Sequence, residues 1–242
     1  MKNVMITGVA SGIGKCLAKD FAKAGYCVIA LDKDEATFEE ANINFFKVDL
    51  ANFGEVEKFF KQIAKNFGKL HILINNAAIS VFEKSIENST YEDFDNIIDV
   101  NLKALYFCSK EFVKLNKGEN FGRIINIAST RFAQNEPNWD LYSATKGAVV
   151  SLTNSLCVSL SETAITVNAI SAGWIATTNY ENLSPFEHSQ HPSRRVGKPS
   201  DISQYCLFLA QEANDFINGS NLFIDGGMSK KMIYPSDFIN PK

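Results

Sequence analysis

The chain has 242 residues, 45% of them hydrophobic, and a formal net charge of −3. This length and composition predict a single α/β domain over residues 1–242 with a large buried core, and the scattered lysines form no basic stripe of the kind that binds nucleic acid. The hydrophobic runs have the length of strands, well short of about 18 residues, so no membrane-spanning helix is predicted.

The first predicted strand, residues 3–7, leads into a glycine-rich turn and then into the helix-like segment KCLAKDFAKAG. Glycines allow the backbone to approach phosphate groups, and the unpaired N–H groups at the start of a helix favour negative charge. The order strand, turn, helix therefore predicts a site for the pyrophosphate of a dinucleotide. The turn residues assigned to this site are Gly8, Ser11, Gly12, Ile13 and Gly14.

The second predicted strand, residues 26–31, is followed by Asp32, which lies 20 residues past Gly12. A carboxylate at this position can accept hydrogen bonds from the adenosine ribose and repels the 2′-phosphate of NADP. Ser11 brings no positive charge into the glycine turn, whereas Lys33 argues in the opposite direction. The sequence therefore favours NAD over NADP.

Two segments match the pattern YxxxK, which places a tyrosine and a lysine on one face of a helix. Tyr106 and Lys110 lie in the amphipathic segment NLKALYFCSKEFVKL and are interpreted as a buried ring and a solvated lysine. Tyr142 and Lys146 instead have Ser129 upstream, at the end of the apolar segment GRIINIAS. Because a neighbouring ammonium group favours the phenolate, Lys146 is expected to lower the pKa of Tyr142 and prepare it for proton transfer.

The predicted strands alternate with helical patterns along the chain. This alternation predicts a doubly wound Rossmann fold, with a mostly seven-stranded parallel sheet flanked by helices on both faces. The strands are predicted near residues 3–7, 26–31, 43–49, 70–75, 122–129, 164–170 and 221–224. Several polar residues fall at or near the carboxyl ends of these strands and are expected to converge on one site: Thr7, Asp32, Asp49, Asn75 and Ser129.

Over nearly its whole length the chain resembles the short-chain dehydrogenase/reductase family. The glycine turn is similar to the family's TGxxxGIG, and NNAA at residues 75–78 is similar to its NNAG. GWIAT at residues 173–177 is similar to the loop that contacts the nicotinamide carboxamide. The resemblance implies an NAD(P)-dependent oxidoreductase that transfers a hydride between a nicotinamide and a secondary alcohol or ketone. It further implies a catalytic tetrad, Asn101, Ser129, Tyr142 and Lys146.

The resemblance also implies a role for each of these residues. Tyr142 serves as the general acid/base, and Ser129 steadies the substrate oxygen. Lys146 also holds the nicotinamide ribose, and Asn101 holds a water that passes protons onward. Taken singly, Ser129 fits a strand-end cap as well as it fits a catalytic residue, and Asn101 fits a hydrogen-bonding residue of the core equally well. The implied cofactor contacts beyond the glycine turn are Asp32, Asp49, Leu50, Asn76, Ala77, Tyr142, Lys146, Ile175 and Thr177.

Two residues depart from the family pattern. Ala78 stands where the family usually has glycine, which is tolerated unless the backbone there needs a positive φ. Ala172 stands where the family has proline, which leaves the loop toward Ile175 and Thr177 more conformational freedom. Neither departure removes a reacting group.

The substrate is not defined by the sequence. A lid is predicted over residues 178–195, and its mixed aromatic and polar character fits a sugar, a polyol, a steroid or another cyclic alcohol. Arg131 can meet an anionic group of a substrate or form an ion pair at the surface. The substrate residues assigned are Ser129, Arg131, Trp139 and Trp174, and further pocket candidates are Ser80, Val81, Phe82, Thr130 and Phe132.

Two alternative functions stay open. One is an NADPH-linked reductase of carrier-bound 3-oxoacyl groups, against which Asp32 argues. The other is a nucleotide-sensing relative without turnover, against which the intact tetrad argues.

We also expect a cytoplasmic protein, since the residues before the glycine turn leave no room for a signal peptide. A homotetramer or homodimer is expected through helices near 92–116 and 140–161 and through the carboxyl-terminal strand. The five cysteines lack CxxC spacing and the three histidines form no ligand pattern, so buried reduced thiols and no metal site are expected.

Overall fold

The computed structural model describes residues 1–80 and 83–232 of the chain. Seven strands form one parallel sheet in the order β3-β2-β1-β4-β5-β6-β7. The strands are β1 (Asn3–Thr7), β2 (Cys27–Asp32), β3 (Ile43–Lys47), β4 (Ile72–Asn75), β5 (Gly122–Ser129), β6 (Ile165–Ala172) and β7 (Asn221–Ile224). The predicted doubly wound fold is confirmed, and each strand boundary lies within two residues of its prediction.

Helices connect the strands and cover the sheet. They are α1 (Gly12–Lys23), α2 (Phe53–Phe67), α3 (Tyr91–Ile98), α4 (Ala104–Asn116), α5 (Asp140–Ser159), α6 (Pro185–Ser189) and α7 (Pro199–Leu209). A π-helical turn, Asp99–Lys103, joins α3 to α4, so the long helix predicted near 92–116 is continuous but locally widened. Such single π turns are frequent at functional sites.

The core lies on both faces of the sheet. On one face, Val4 and Ile6 of β1 pack with Phe21 of α1, and on the other face Met5 packs with Phe59 of α2. Neighbouring residues of a strand point to opposite faces, so a strand covered on both sides must be apolar along its whole length. This is why VMIT and GRIINIAS lack an alternating polar pattern.

The two long central strands fix the position of one edge of the sheet. β5 and β6 are buried along their whole length and pair in register from Gly122 opposite Ile165 to Ser129 opposite Ala172. Ala172 is the last residue of β6 and is 6% exposed. The chain therefore leaves β5 and β6 at the same height, which brings the segments that follow them together.

Two predictions about burial were wrong in part. Tyr106 is 47% exposed and its ring packs edge-on against Phe107, because Leu105, Cys108 and Phe112 occupy the core-facing side of α4. Of the five cysteines, all free thiols, only Cys108 and Cys206 are buried. Burial raises the pKa of the Cys108 thiol to about 12, which keeps it protonated and unreactive.

Candidate active site

The glycine turn after β1 is a tight backbone cradle. Gly8 and Gly12 have φ angles of +73° and +54°, which disfavour any side chain. A Cβ atom at Gly8 would lie 2.7 Å from Ala77 Cα, and one at Gly12 would lie 3.0 Å from Thr177 Cγ2. The turn therefore lies directly against the two segments that were predicted to contact the cofactor.

The start of α1 leaves backbone donors available beside this turn. Ser11 is the N-cap residue, but its side chain makes no capping hydrogen bond, and Gly12 and Ile13 begin the helix. Unpaired N–H groups and the helix dipole favour an anion at such a position. The cradle thus fits the pyrophosphate of a dinucleotide.

Asp32, the last residue of β2, contacts the glycine turn. Its carboxylate oxygens accept hydrogen bonds from the backbone N–H of Ala10 at 2.8 Å and of Asp34 at 3.0 Å. A carboxylate oxygen can accept two hydrogen bonds, so each retains capacity for a ribose hydroxyl. Asp49 lies near the end of β3, where it is exposed and accepts a 2.9 Å bond from the N–H of Ala51.

The residues after β4 connect the glycine turn to the centre of the sheet. The amide nitrogen of Asn76 donates to the carbonyl oxygens of Thr7 at 3.0 Å and Gly8 at 2.9 Å. The Thr7 hydroxyl accepts from the backbone N–H groups of Asn76 and Ala77, both at 3.0 Å. Asn75 donates at 2.9 Å to Asn126 of β5. The backbone of Ala78 is not among the positive-φ positions of the described chain, so alanine is tolerated there.

Asn101 lies within the π turn and is 2% exposed. Its side-chain oxygen accepts a 2.7 Å bond from the N–H of Ile79, and its nitrogen donates to the Ile79 carbonyl at 3.2 Å. The same nitrogen donates at 3.1 Å to the hydroxyl of Thr145, which in turn donates at 2.7 Å to the carbonyl of Tyr142. Asn101 thus connects the loop after β4 to the helix that carries Tyr142.

Tyr142 and Lys146 lie on the buried face of α5, beside the end of β5. Lys146 is 3% exposed, and its ammonium donates at 2.8 Å to the Ile127 carbonyl and lies 5.6 Å from the centre of the Tyr142 ring. Ser129 ends β5, and its hydroxyl accepts a 3.2 Å bond from the N–H of Arg131. The structure therefore brings all four predicted tetrad residues to one edge of the sheet.

We predicted that Lys146 lowers the pKa of Tyr142, but in the structure the net shift of that pKa is upward. Burial raises the pKa of Tyr142, while the hydroxyl of Ser129 and the positive charge of Arg131 act to lower it. Burial also lowers the pKa of Lys146 from 10.5 to about 8, since its ammonium group is removed from water. At neutral pH, Tyr142 is therefore a phenol next to a charged lysine.

Arg131 and Trp139, two of the predicted substrate residues, lie at the same edge. The Arg131 guanidinium lies 4.0 Å from the centre of the Trp139 ring, and that ring contacts the Tyr142 ring at 5.7 Å between centres. Arg131 also forms an ion pair with Glu136, so it is both a surface ion-pairing residue and a neighbour of the site. Trp174 is 39% exposed and packs against His191 of the lid. The pocket candidates Val81 and Phe82 lie outside the described residues.

The predicted lid, residues 178–195, is held to the chain that follows it. The Tyr180 hydroxyl donates at 3.0 Å to the Val196 carbonyl, and Nδ1 of His188 accepts a 3.1 Å bond from the Val196 N–H. Ile175 forms a parallel bridge with Gly197, which fixes the loop that leads to Thr177. A cleft of about 580 Å³ opens between α1 and this region, with Gly12, Thr177 and Tyr180 among its lining residues.

Two side chains with a positioning role were missed in the sequence. Thr145 lies three residues after Tyr142 and bridges it to Asn101, and a hydroxyl at this helical spacing was a usable signal. Glu136 pairs with Arg131 across a loop, and no sequence pattern indicated that contact.

Among the described residues no group of three His, Cys, Asp or Glu side chains has a metal-binding arrangement. No helix of residues 1–80 and 83–232 combines the length and apolar character needed to cross a membrane.

Comparisons with known proteins agree with this geometry. The family model described as enoyl-(acyl carrier protein) reductase matches residues 8–229. An uncharacterised oxidoreductase of Thermotoga maritima is 39% identical over 251 aligned positions, which cover 96% of this chain and 98% of that protein.

Solved structures are similar over almost the whole chain. The NADP-bound structure of ElxO superposes with a TM-score of 0.85 at 33% identity and covers 95% of this chain and 99% of its own. A 3-ketoacyl-(acyl-carrier-protein) reductase of Brucella melitensis, in complex with NADH, has a TM-score of 0.86 at 32% identity and covers 94% of this chain and 98% of its own. Proteins with this architecture therefore hold either nicotinamide cofactor.

Proposed function

The chain belongs to the short-chain dehydrogenase/reductase family of NAD(P)-dependent oxidoreductases, and we propose that it interconverts a secondary alcohol and a ketone with Tyr142 as the general acid/base. The observation that carries this proposal is the buried pair on α5. The Lys146 ammonium and the Tyr142 ring lie 5.6 Å apart at the edge of the sheet where Ser129 and Asn101 also lie. A phenol, an ammonium and a hydroxyl in this arrangement supply a proton donor, a stabilising charge and a hydrogen bond to the substrate oxygen.

At neutral pH Tyr142 is a phenol, the form that donates a proton in carbonyl reduction. When bound, the nicotinamide supplies or accepts the hydride at the substrate carbon. In reduction, the substrate oxygen takes the proton of the Tyr142 hydroxyl, and Ser129 donates a hydrogen bond to that oxygen. Because burial raises the pKa of Tyr142, the phenol form is present before the reaction. Lys146 then stabilises the phenolate until a proton returns from solvent.

The cofactor contacts that we propose surround the same edge. The glycine turn receives the pyrophosphate, Asp32 accepts from the adenosine ribose, and Asp49 with Leu50 lies beside the adenine. Asn76 and Ala77 support the turn, Lys146 holds the nicotinamide ribose, and Ile175 with Thr177 meets the carboxamide. We propose NAD as the preferred cofactor because the Asp32 carboxylate would repel a 2′-phosphate.

A second candidate is reduction of carrier-bound 3-oxoacyl groups. Similarity to the reductase of Brucella melitensis favours it, and that structure holds NADH, so a preference for NAD does not argue against it. The two candidates differ in substrate but share the same four catalytic residues. Substrate profiling, rather than any change at the tetrad, separates them.

We also propose that the protein is a homotetramer or a homodimer. The outer faces of α3, α4 and α5 expose large apolar side chains: Tyr91 (93%), Phe94 (48%), Tyr106 (47%) and Val158 (72%). Helices with such faces commonly pair with a second copy of the same chain. A monomer by light scattering at micromolar concentration would contradict this part of the proposal.

The experiment that tests the function is a panel of secondary alcohols and ketones, with 3-oxoacyl thioesters included, assayed with each nicotinamide cofactor. We expect cofactor-dependent turnover of at least one ketone at neutral pH, followed as a change in nicotinamide absorbance. Turnover must vanish when the cofactor is left out. Failure to turn over any carbonyl or alcohol, by a folded protein that still binds cofactor, would favour a nucleotide-binding role without catalysis.

A further inference from the structure

Arg131 is held beside the proposed reaction centre by an aromatic contact. Its guanidinium lies 4.0 Å from the centre of the Trp139 ring, which itself contacts the Tyr142 ring at 5.7 Å and a 79° interplanar angle. A guanidinium stacked on a tryptophan is kept in place without using its N–H donors. Arg131 also follows Ser129 by two residues, and its side chain is 25% exposed. The group is therefore fixed, charged and within reach of solvent.

The anion that Arg131 pairs with is itself exposed. Glu136 comes from the loop between β5 and α5, and its side chain is 68% exposed. An ion pair in which one partner is so exposed contributes little to stability, because water and salt compete for the carboxylate. A carboxylate presented by another molecule can therefore replace Glu136 at low cost. The pair between Arg131 and Glu136 shows that the guanidinium at this position binds a carboxylate.

Resting on the proposed carbonyl chemistry, we propose that Arg131 makes the enzyme selective for substrates that carry a carboxylate a few bonds from the reacting carbon. The planar fork of the guanidinium matches the two oxygens of a carboxylate, which gives orientation as well as charge. The Trp139 ring lies between the guanidinium and the Tyr142 ring, so the carboxylate must be separated from the reacting carbon by a short chain. Short hydroxy acids and the corresponding keto acids fit this requirement.

Three other cations of the described residues have partners of their own. Arg195 forms two hydrogen bonds with Asp201, at 2.6 and 2.7 Å, and Lys84 is paired with Asp93. The Lys146 ammonium is buried and donates to the Ile127 carbonyl. Arg131, by contrast, has an exposed partner that another carboxylate can replace and lies beside the proposed reaction centre, and this is why the selectivity is assigned to it.

The test compares each hydroxy acid with its own neutral ester. We choose 3-hydroxybutyrate and 4-hydroxypentanoate, each against its methyl ester, and measure kcat/KM for both members with cofactor in excess. The wild type should prefer the acid by about tenfold or more, and Arg131→Gln should remove most of that preference. The Arg131 charge also acts on Tyr142, so both rates will change in this variant, and only the ratio of acid to ester reports recognition.

Two further variants separate charge from geometry. Arg131→Lys keeps the charge but loses the planar fork, so it should restore only part of the preference. Glu136→Gln removes the internal competitor and should raise the ratio of acid to ester above the wild-type value. Equal use of acid and ester by the wild type, or an unchanged ratio in Arg131→Gln, overturns the inference and leaves the proposed function intact.

A binding measurement keeps the inference testable if no turnover is found. The chain has two tryptophans, so fluorescence titration with 3-hydroxybutyrate in the presence of oxidised cofactor can follow Trp139. Trp139→Phe identifies its share of the signal. Saturable binding that weakens about tenfold or more in Arg131→Gln, with no matching change for the methyl ester, supports the inference. Binding that is equal for acid and ester, or that ignores the substitution, overturns it.

Discussion

Strand β5 has a buried cation beside each of its ends, and the two cations differ in how many of their hydrogen-bond donors are used. Arg123, near the start of the strand, and Lys146, beside its end, are each 3% exposed. The Arg123 guanidinium donates to the carbonyls of Gly122, Leu209, Gln211 and Glu212. Within the described residues the Lys146 ammonium donates to one carbonyl, that of Ile127.

This difference separates a structural charge from a functional one. Arg123 donates to carbonyl groups at the carboxyl end of α7, so its donors are used where it lies, although burial lowers its pKa as well. An ammonium group has three donors, and Lys146 uses one, which leaves donors and uncompensated charge for a ligand and for Tyr142. Burial of a charge indicates function when its hydrogen-bonding capacity is left unfilled.

The largest expected effect on stability is that of Arg123→Met. Removing the guanidinium leaves several buried carbonyls without a donor, at a cost of at least about 3 kcal/mol in the free energy of unfolding. Turnover per folded molecule should be unchanged. Arg195→Met is the matched control at the other end of α7, where the ion pair with Asp201 is partly exposed and should cost about 1 kcal/mol or less. If urea unfolding shows the same loss of unfolding free energy in Arg123→Met and Arg195→Met, the structural role assigned to Arg123 is contradicted.

Lys146→Met, unlike Arg123→Met, should raise the free energy of unfolding at neutral pH. A lysine whose folded pKa is about 8 rather than 10.5 binds fewer protons when folded, so its charge destabilises the protein below pH 8. The variant should be more stable than the wild type at pH 7, by up to about 3 kcal/mol, while cofactor affinity and turnover are both lost.

The pH dependence tests the same point independently. As pH rises from about 8 to 10.5, the wild type loses this penalty and gains stability relative to Lys146→Met, so the difference between the two should shrink. Urea unfolding of both proteins at pH 7 and pH 9.5 measures it. A variant that is less stable than the wild type at pH 7 would show that the Lys146 charge is already compensated.

Asp32→Ala should have a smaller effect, mainly on the choice between NAD and NADP. Two like charges about 4 Å apart cost on the order of 4 kcal/mol at an effective dielectric near 20, and Lys33 can recover part of this, so a preference for NAD of about tenfold or more is expected. The variant should lower the ratio of kcat/KM for NAD over NADP. It should also loosen the glycine turn, since Asp32 accepts from Ala10. A wild type that prefers NADP would contradict the proposed role of Asp32.

Much of this edge could be predicted from the sequence, because its key residues follow strands whose apolar runs are clear. Ser129, Asp32 and Asn75 all end strands close to where they were expected. The π turn at Asn101 could not be predicted, since it depends on contacts with Ile79 and Thr145 that are distant in sequence.

The pKa of Tyr142 marks a second limit of the sequence. The spacing of Tyr142 and Lys146 indicates proximity, but the sign of the shift depends on how deeply the phenol is buried. The pairing of Arg131 with Glu136 depends in the same way on a loop conformation that has no periodic signal. Local patterns therefore predicted that Tyr142 and Lys146 meet, whereas burial set the direction of their pKa shifts.

The most direct test of the proposed chemistry is the turnover of Tyr142→Phe, with Tyr106→Phe as the matched control from the exposed YxxxK segment. The substitution at Tyr142 removes the phenolic oxygen and keeps the ring against Trp139. With a ketone that the wild type reduces, kcat should fall by at least about a hundredfold, while the cofactor dissociation constant stays near that of the wild type. Tyr106→Phe should retain wild-type turnover. Near-normal turnover by Tyr142→Phe would contradict the assignment of Tyr142 as the general acid/base.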